Sequence, residues 1–318
     1  MSSQKMPSYG GQALIEGVMM RGAHFVAAAF RAPSGEIIVQ SEKLSGIYRS
    51  KITGIPFVRG FILLWDSLVL GTRYLTIAAN TQTGTDEKIE GPAFYVTMLF
   101  SIGLAVGLFF VMPAAVGQWI AGLIKCNSWW SNVLEGFIRL ILIIAYMGGV
   151  GIIPDIQRVF AYHGAEHKTI NAFEAGANLS PNTVMKYSLE HPRCGTAFLL
   201  TIALLSIIFF SLLGPLPIVW RLISRVILIP VLVGLSYEYI RWTSNHLESP
   251  LVRLLTKPNL ALQHLTTRQP DFKMLEVAIA AFNTMYDLEN SIAITSSALQ
   301  QPGELIASGI GNYQDQTK

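Results

Sequence analysis

AFYVTMLFSIGLAVGLFFVMPAAVGQWIAGLI, residues 93–124, holds no Asp, Glu, Lys or Arg. A helix needs about 20 apolar residues to cross the hydrocarbon core of a bilayer, so this run decides the fold class. Residues 93–118 read as a first transmembrane span, with Pro113 near its outer end. Residues 133–153 read as a second, with Glu135 and Arg139 in its first turns. Four apart, these two can pair on one helix face while the arginine stem snorkels toward the surface. Residues 195–220 form a third, charge-free run, and residues 226–242 a fourth that carries Glu238. Gly214-Pro215-Leu216-Pro217, followed by Arg221 and Arg225, separates the last two. The expected fold is mainly α: a polytopic helical membrane protein with about four transmembrane helices and a small N-terminal cytoplasmic β element.

Composition points the same way. Of 318 residues, 51% are hydrophobic and 14% charged, with a mean hydropathy of +0.44. A soluble domain carries about 25% charged residues, too many more for this chain to be an ordinary cytosolic enzyme. A net charge of +3 offers no concentrated basic face, so nucleic acid is not an expected partner. Cys126 and Cys194 are too few for a disulfide framework and are expected on opposite sides of the membrane. Met1 is not followed by an apolar h-region, so no cleaved export signal is expected.

The loops set an expected orientation. Lys and Arg number nine up to Glu90, one in the first loop, four in 154–193, two in the third loop and six from Arg241 onward. Alternate sides thus total nineteen against three, with Arg139 inside a span. The positive-inside rule then places both termini and the second loop in the cytoplasm. Residues 55–79 show a helical apolar pattern interrupted by Arg59, Asp66 and Arg73. They are expected to form an amphipathic interfacial helix on the cytoplasmic leaflet, because a fifth crossing would invert the N-terminus against its charge.

Residues 1–54 read as a cytoplasmic β-rich segment with strand-like stretches at 13–20, 23–31 and 36–42. The last two are joined by the turn Ala32-Pro33-Ser34-Gly35. The glycines of GGQALIEGVMMRG, residues 10–22, suit tight turns and close backbone contacts; no Gly-Lys-Ser/Thr follows to make a phosphate loop. Within that stretch Glu16 reads as a solvated or locally paired carboxylate. The four-helix region, 93–242, includes the cytoplasmic loop 154–194. Beyond it, residues 243–285 read as cytoplasmic helices and 286–318 as a disordered tail.

The chemistry concentrates in the second cytoplasmic loop, where three of the six histidines fall between residues 163 and 191. Tyr162-His163-Gly164-Ala165-Glu166-His167-Lys168-Thr169 sets His163 and His167 four apart, on one helix face, where two imidazoles can share a metal. Glu166 flanks that face and has the chemistry to act as general base. This is the H-x-x-E-H order of inverted zinc metallohydrolases. Glu174 lies on the same face but about 10 Å along the axis from His167, beyond reach of a shared metal unless the helix ends or bends. Glu190-His191-Pro192-Arg193-Cys194-Gly195, before the third span, offers His191 or Cys194 as a third ligand and Arg193 for an anionic group. These residues also suit a purely structural helix entry or a metal-free polar site. Glu238 is either paired with Arg241 or, if its span packs on the histidine helix, an alternative ligand.

Four stretches together resemble an uncharacterised bacterial membrane family of the YqhQ type: GGQALIEGVMMRG (10–22), YHGAEHKT (162–169), NAFE (171–174) and HPRCGT (191–196). Residues 262–267 and 274–281 are similar to that family's C-terminal pattern, so the resemblance covers nearly the whole chain. It implies a multi-pass protein of the bacterial plasma membrane, in a family regarded as predicted metal-dependent enzymes. It also implies His163, Glu166, His167, Glu174, His191 and Cys194 as the family's site.

The leading expectation is a metal-dependent hydrolase with its site at the cytoplasmic membrane surface. Zinc is the first expected metal, with manganese or iron as alternatives. Such a site, facing the lipid bilayer, suits a lipid-like or membrane-peptide substrate. A non-enzymatic scaffold or assembly factor, bound to a membrane protein partner, is the competing reading. A transporter fits less well, since Glu238 and Arg139 are the only deep charges and no inverted repeat is visible.

Overall fold

The computed structural model describes residues 9–44, 51–83, 91–125, 127–214 and 216–300. Cys126 and the last part of the expected tail, 301–318, lie outside them.

Helix α1 (Val58–Thr83) is followed by α2 (Pro92–Val106) and α3 (Met112–Leu123), which run on from one another through a π-helical turn, Gly107–Val111. Asn127 caps α4 (Ser128–Val150) by accepting the N–H groups of Trp129 and Trp130. After α5 (Pro154–Glu174) and the short α6 (Pro181–Val184) comes α7 (Gly195–Leu212). Four helices are long and apolar enough to cross a bilayer: Val58–Gln82, Tyr95–Leu123, Trp129–Val150 and Gly195–Leu212. Helices α8 (Ile218–Ile227) and α9 (Ile229–Asn245) pass the same test together, bent by 43°. This is compatible with a multi-pass membrane protein.

The third span therefore ends at Leu212, short of the expected residue 220. Gly214 takes a left-handed φ of 67°, the chain cannot continue as helix, and Val219 and Trp220 fall in α8 instead. The expected fourth span is the bent α8–α9 pair.

Burial in this region is inverted relative to a soluble protein. Trp220, Ile227 and Ile141 are exposed, while Glu135, Arg139, Arg221 and Arg225 are all at most 4% exposed. Lipid rewards that arrangement and water does not. Glu135 takes Arg139 at 2.8 Å, Arg221 at 3.0 Å and Arg225 at 2.7 Å. Arg139 does pair with Glu135, but it does not snorkel. Its Nε donates to the Phe109 carbonyl at 2.8 Å, inside the π-helical turn where the regular ladder is interrupted, and Nη1 donates to Ser206 at 2.6 Å.

At one end of these helices lies an antiparallel sheet in the order β1-β2-β3-β4, formed by Gly10–Leu14, Gly17–Arg21, Phe25–Arg31 and Ile37–Lys43. The strand expected over 13–20 is a hairpin. Glu16 turns the chain with φ of 52°, and its carboxylate is tied to Arg158 and, at 3.2 Å, to the Tyr162 hydroxyl. Glu16 is thus paired across to α5. Alternation puts Val18, Met20, Ala27 and Ala29 against α5 and α11 (Phe272–Gln300), and Met19, Val26, Ala28 and Phe30 against Leu70, Tyr74 and Ala78 of α1. Residues 10–22 are the code for that docking. Gly11 lies against Glu166, Gln12 against Gly71, Arg21 pairs with Asp66 at 2.7 Å, and Gly22 lies against Met285.

Helix α11 runs to Gln300, well past the expected start of a disordered tail at 286. Its polar composition conceals anchors. Phe282 and Met285 are fully buried, Tyr286 packs 6.1 Å from Tyr9, and Glu289 accepts the His24 and Phe25 amides at 2.5 and 2.8 Å.

Candidate metal centre

Pro154 occupies the first turn of α5, where its missing N–H costs nothing, and Asp155 complements the helix dipole. One turn apart on this helix, His163 and His167 hold their ring centroids 4.3 Å from each other. Each ring is fixed through Nδ1, His163 on the Thr266 carbonyl at 2.8 Å and His167 on the Leu189 carbonyl at 2.5 Å. A carbonyl can only accept, so both Nδ1 atoms carry a proton, and Nε2 is the nitrogen whose lone pair each ring offers in its neutral form. Cys194 caps α7, and its Sγ lies 3.2 Å from His163 Nε2 and 3.2 Å from Thr196 Oγ1. The ligand atoms of His163, His167 and Cys194 all lie within 4.8 Å of one another. This is the His–His–Cys set that the spacing allowed, with Cys194 in the third place.

His191 lies beside the trio, its ring 5.7 Å from that of His167. Glu174 reaches Arg193, and its other oxygen is 3.7 Å from His191 Nε2. Helix α5 ends at Glu174, which lets this carboxylate serve the neighbouring loop rather than the trio. Burial works to raise its pKa, but His191 and the Arg193 guanidinium outweigh that and hold it below the ordinary range. Burial lowers the His191 pKa, against the pull of Glu174. Glu166 faces the other way, toward β1. Its burial pushes the pKa up to about 7, with His163 and the Gly11 amide opposing. Glu238 is not at the centre. Its partner is Arg59, at 2.7 Å, in place of the expected Arg241.

Among the described residues, four buried side-chain atoms without a hydrogen-bond partner gather here: His167 Nε2, His191 Nε2, Glu166 Oε2 and Arg193 Nε. Buried polar groups are normally satisfied, so their concentration marks a place built for something else.

Residues 55–288 match the family described as "Protein of unknown function (DUF1385)". The chain belongs to this family. It is also 32% identical over 307 residues to "Uncharacterized protein YqhQ" of Bacillus subtilis (strain 168), a match that spans 91% of this chain and 96% of that relative. No solved structure matches. The DUF1385 region contains the whole trio together with His191, Arg193, Glu166 and Glu174.

It also contains residues that sequence reasoning did not single out. Lys168 Nζ donates to the Met185 and Tyr187 carbonyls, and Asn171 to those of Ser188 and Glu190. Gln263 clamps His191 from the other side, accepting its N–H at 2.9 Å and donating to its carbonyl at 2.8 Å. These three strap the loop before α7 onto α5 and α10 (Pro250–Gln263). Their signal was present. Lys168 and Asn171 stand inside the quoted motifs and Gln263 inside 262–267, but no spacing rule assigns a role to a strap.

Proposed function

We propose that His163, His167 and Cys194 hold a divalent metal and that this protein is a metal-dependent hydrolase at the cytoplasmic membrane face. One observation carries the reading: two imidazoles locked through Nδ1 and a cysteine sulfur bring their ligand atoms within 4.8 Å of one another. Metal-ligating histidines usually donate their other ring N–H to a carbonyl or carboxylate in this way, which fixes the tautomer and the ring orientation. Two nitrogens and one thiolate favour zinc, and three protein ligands leave a position open. When bound, the metal supplies Lewis acidity and a more acidic water.

The surrounding residues have distinct tasks. Glu166, buried against Gly11 with its pKa brought near neutrality, would serve as proton acceptor only by turning from β1 toward the trio. Arg193, steered by Glu174, turns its unpartnered Nε toward an anionic group. His191 supports the same side. Cys194 stands at the first turn of an apolar span, which favours a lipid-like or membrane-peptide substrate.

The test is elemental analysis of full-length protein, free of any histidine tag, in mild detergent. About one metal per chain is expected, falling to background in His163→Ala/His167→Ala. Ester, amide and phosphoester substrates in mixed micelles should then show turnover that a chelator removes and zinc restores. Metal without turnover on any of these would overturn the hydrolase. No metal in either protein, after zinc or manganese is supplied, would overturn the centre and favour a scaffold.

A further inference from the structure

Helix α1 is apolar and long enough to cross a bilayer, yet the packing of its neighbours forbids it. The sheet precedes α1, and it shares one buried core with α5 and α11. Between the sheet and α5 the chain passes α1, the α2–α3 rod and α4. If the rod and α4 each cross once, a crossing by α1 would put the sheet and α5 on opposite sides. The same count from α5 to α11 requires α7 and the bent α8–α9 pair to cross once each.

We infer that α1 is a re-entrant element: it starts inside the bilayer and rises to the sheet on the side from which it entered, with the acyl chains of one leaflet as its partner. One face of its upper part is covered by protein, from Asp66, paired with Arg21, through Leu70 and Tyr74 to Ala78, buried under the sheet. Its lower part packs on α9, with Gly60 against Tyr237 and the Phe57 carbonyl against Gly234. From Phe57 to Asp66 is about 14 Å of helix, half of a ~30 Å core. Gly234 lies about 16 Å below the Asn245 end of α9, which sets the same depth.

A helix that begins in hydrocarbon must satisfy its first amides without water. Here Ile55 N–H donates to Ile52 at 3.0 Å, Val58 to Pro56 at 2.9 Å and Arg59 to Ile55 at 3.0 Å. Glu238 accepts the Phe57 N–H at 3.1 Å and neutralises Arg59. The intramembrane carboxylate is therefore the cap of α1. Phe57, Phe61, Trp65 and Leu68, at helical spacing, form one outward apolar face, each at least 43% exposed. Among the described residues, the polar cover that an aqueous surface would need is absent from it.

The test uses cysteine substitutions in the full chain, with the unsubstituted protein as blank. Lys43→Cys precedes α1 and Gln82→Cys ends it. A membrane-impermeant maleimide should label both from the same side of sealed vesicles. Labelling from opposite sides would overturn the inference. For depth, a fluorophore on Phe57→Cys and on Leu68→Cys is read in phosphatidylethanolamine/phosphatidylglycerol vesicles with brominated acyl chains. Stronger quenching at 57 than at 68, with bromine near mid-chain, is expected. Equal quenching would indicate a helix lying flat, and none would indicate a water-facing one; either overturns the re-entrant placement.

Discussion

Replacing Glu135 with alanine is expected to keep the membrane helices from assembling. Its carboxylate receives Arg139 and Arg225 on one oxygen and Arg221 and Arg225 on the other. No other Asp or Glu stands between residues 91 and 154 or between 191 and 237, so nothing can take its place. Removing one partner from a buried ion pair costs about 3–5 kcal/mol, and here three guanidiniums lose theirs at once. A typical domain is stable by about 5–15 kcal/mol, so the loss is a large part of the whole. Phe210, with Arg225 4.2 Å and Arg139 5.2 Å from its ring centre, compensates a fraction. Size-exclusion profiles and thermal unfolding in detergent read the effect. Aggregation or a collapsed melting midpoint is expected, with Glu135→Gln intermediate because an acceptor oxygen remains. Wild-type elution and melting of Glu135→Ala would contradict the assignment.

Gly164→Ala is expected to disable the centre without touching a ligand. A Cβ at this position would collide with the Arg268 carbonyl oxygen and come within 2.8 Å of Leu189 Cδ2. Those are the segments that lend His163 and His167 their carbonyl acceptors. Forcing them apart costs about 1–3 kcal/mol of packing, and loosening the carbonyl bonds that orient metal-ligating imidazoles weakens metal binding about 10–100-fold. Helix propensity pushes the other way, since alanine is favoured over glycine by about 1 kcal/mol in a helix interior. A glycine with no role at the site would therefore give a more stable protein with unchanged affinity. Zinc titration against a chromophoric chelator separates the two, with at least a tenfold weaker affinity expected.

The membrane architecture was legible because charge-free runs leave few alternatives. The pairing of Glu135 with Arg139 was legible as well, from their four-residue spacing. Arg221 and Arg225 were not: they follow a proline-rich break and read as loop charges, whereas α8 turns them inward. A one-dimensional pattern cannot distinguish a charge facing water from one facing a distant carboxylate. The histidine pair was visible from spacing alone, while the approach of Cys194 to that pair, with His191 set beside it, depended on where α7 begins relative to α5. The glycine-rich stretch was correctly read as close backbone contact, but its partners, Glu166, Gly71 and Met285, come from three distant helices. The polar end of α11 misled because its anchors, Tyr286 and Glu289, are polar residues used at an interface.

X-ray absorption at the zinc edge of zinc-loaded, full-length protein tests the central claim most directly. The His163–His167–Cys194 assignment expects one sulfur at about 2.3 Å, two imidazole nitrogens at about 2.0–2.1 Å and a light-atom ligand in the open position. Cys194→Ala should erase the sulfur shell and leave the imidazoles. A spectrum of nitrogen and oxygen alone in the unsubstituted protein, or no zinc retained after desalting, would contradict it.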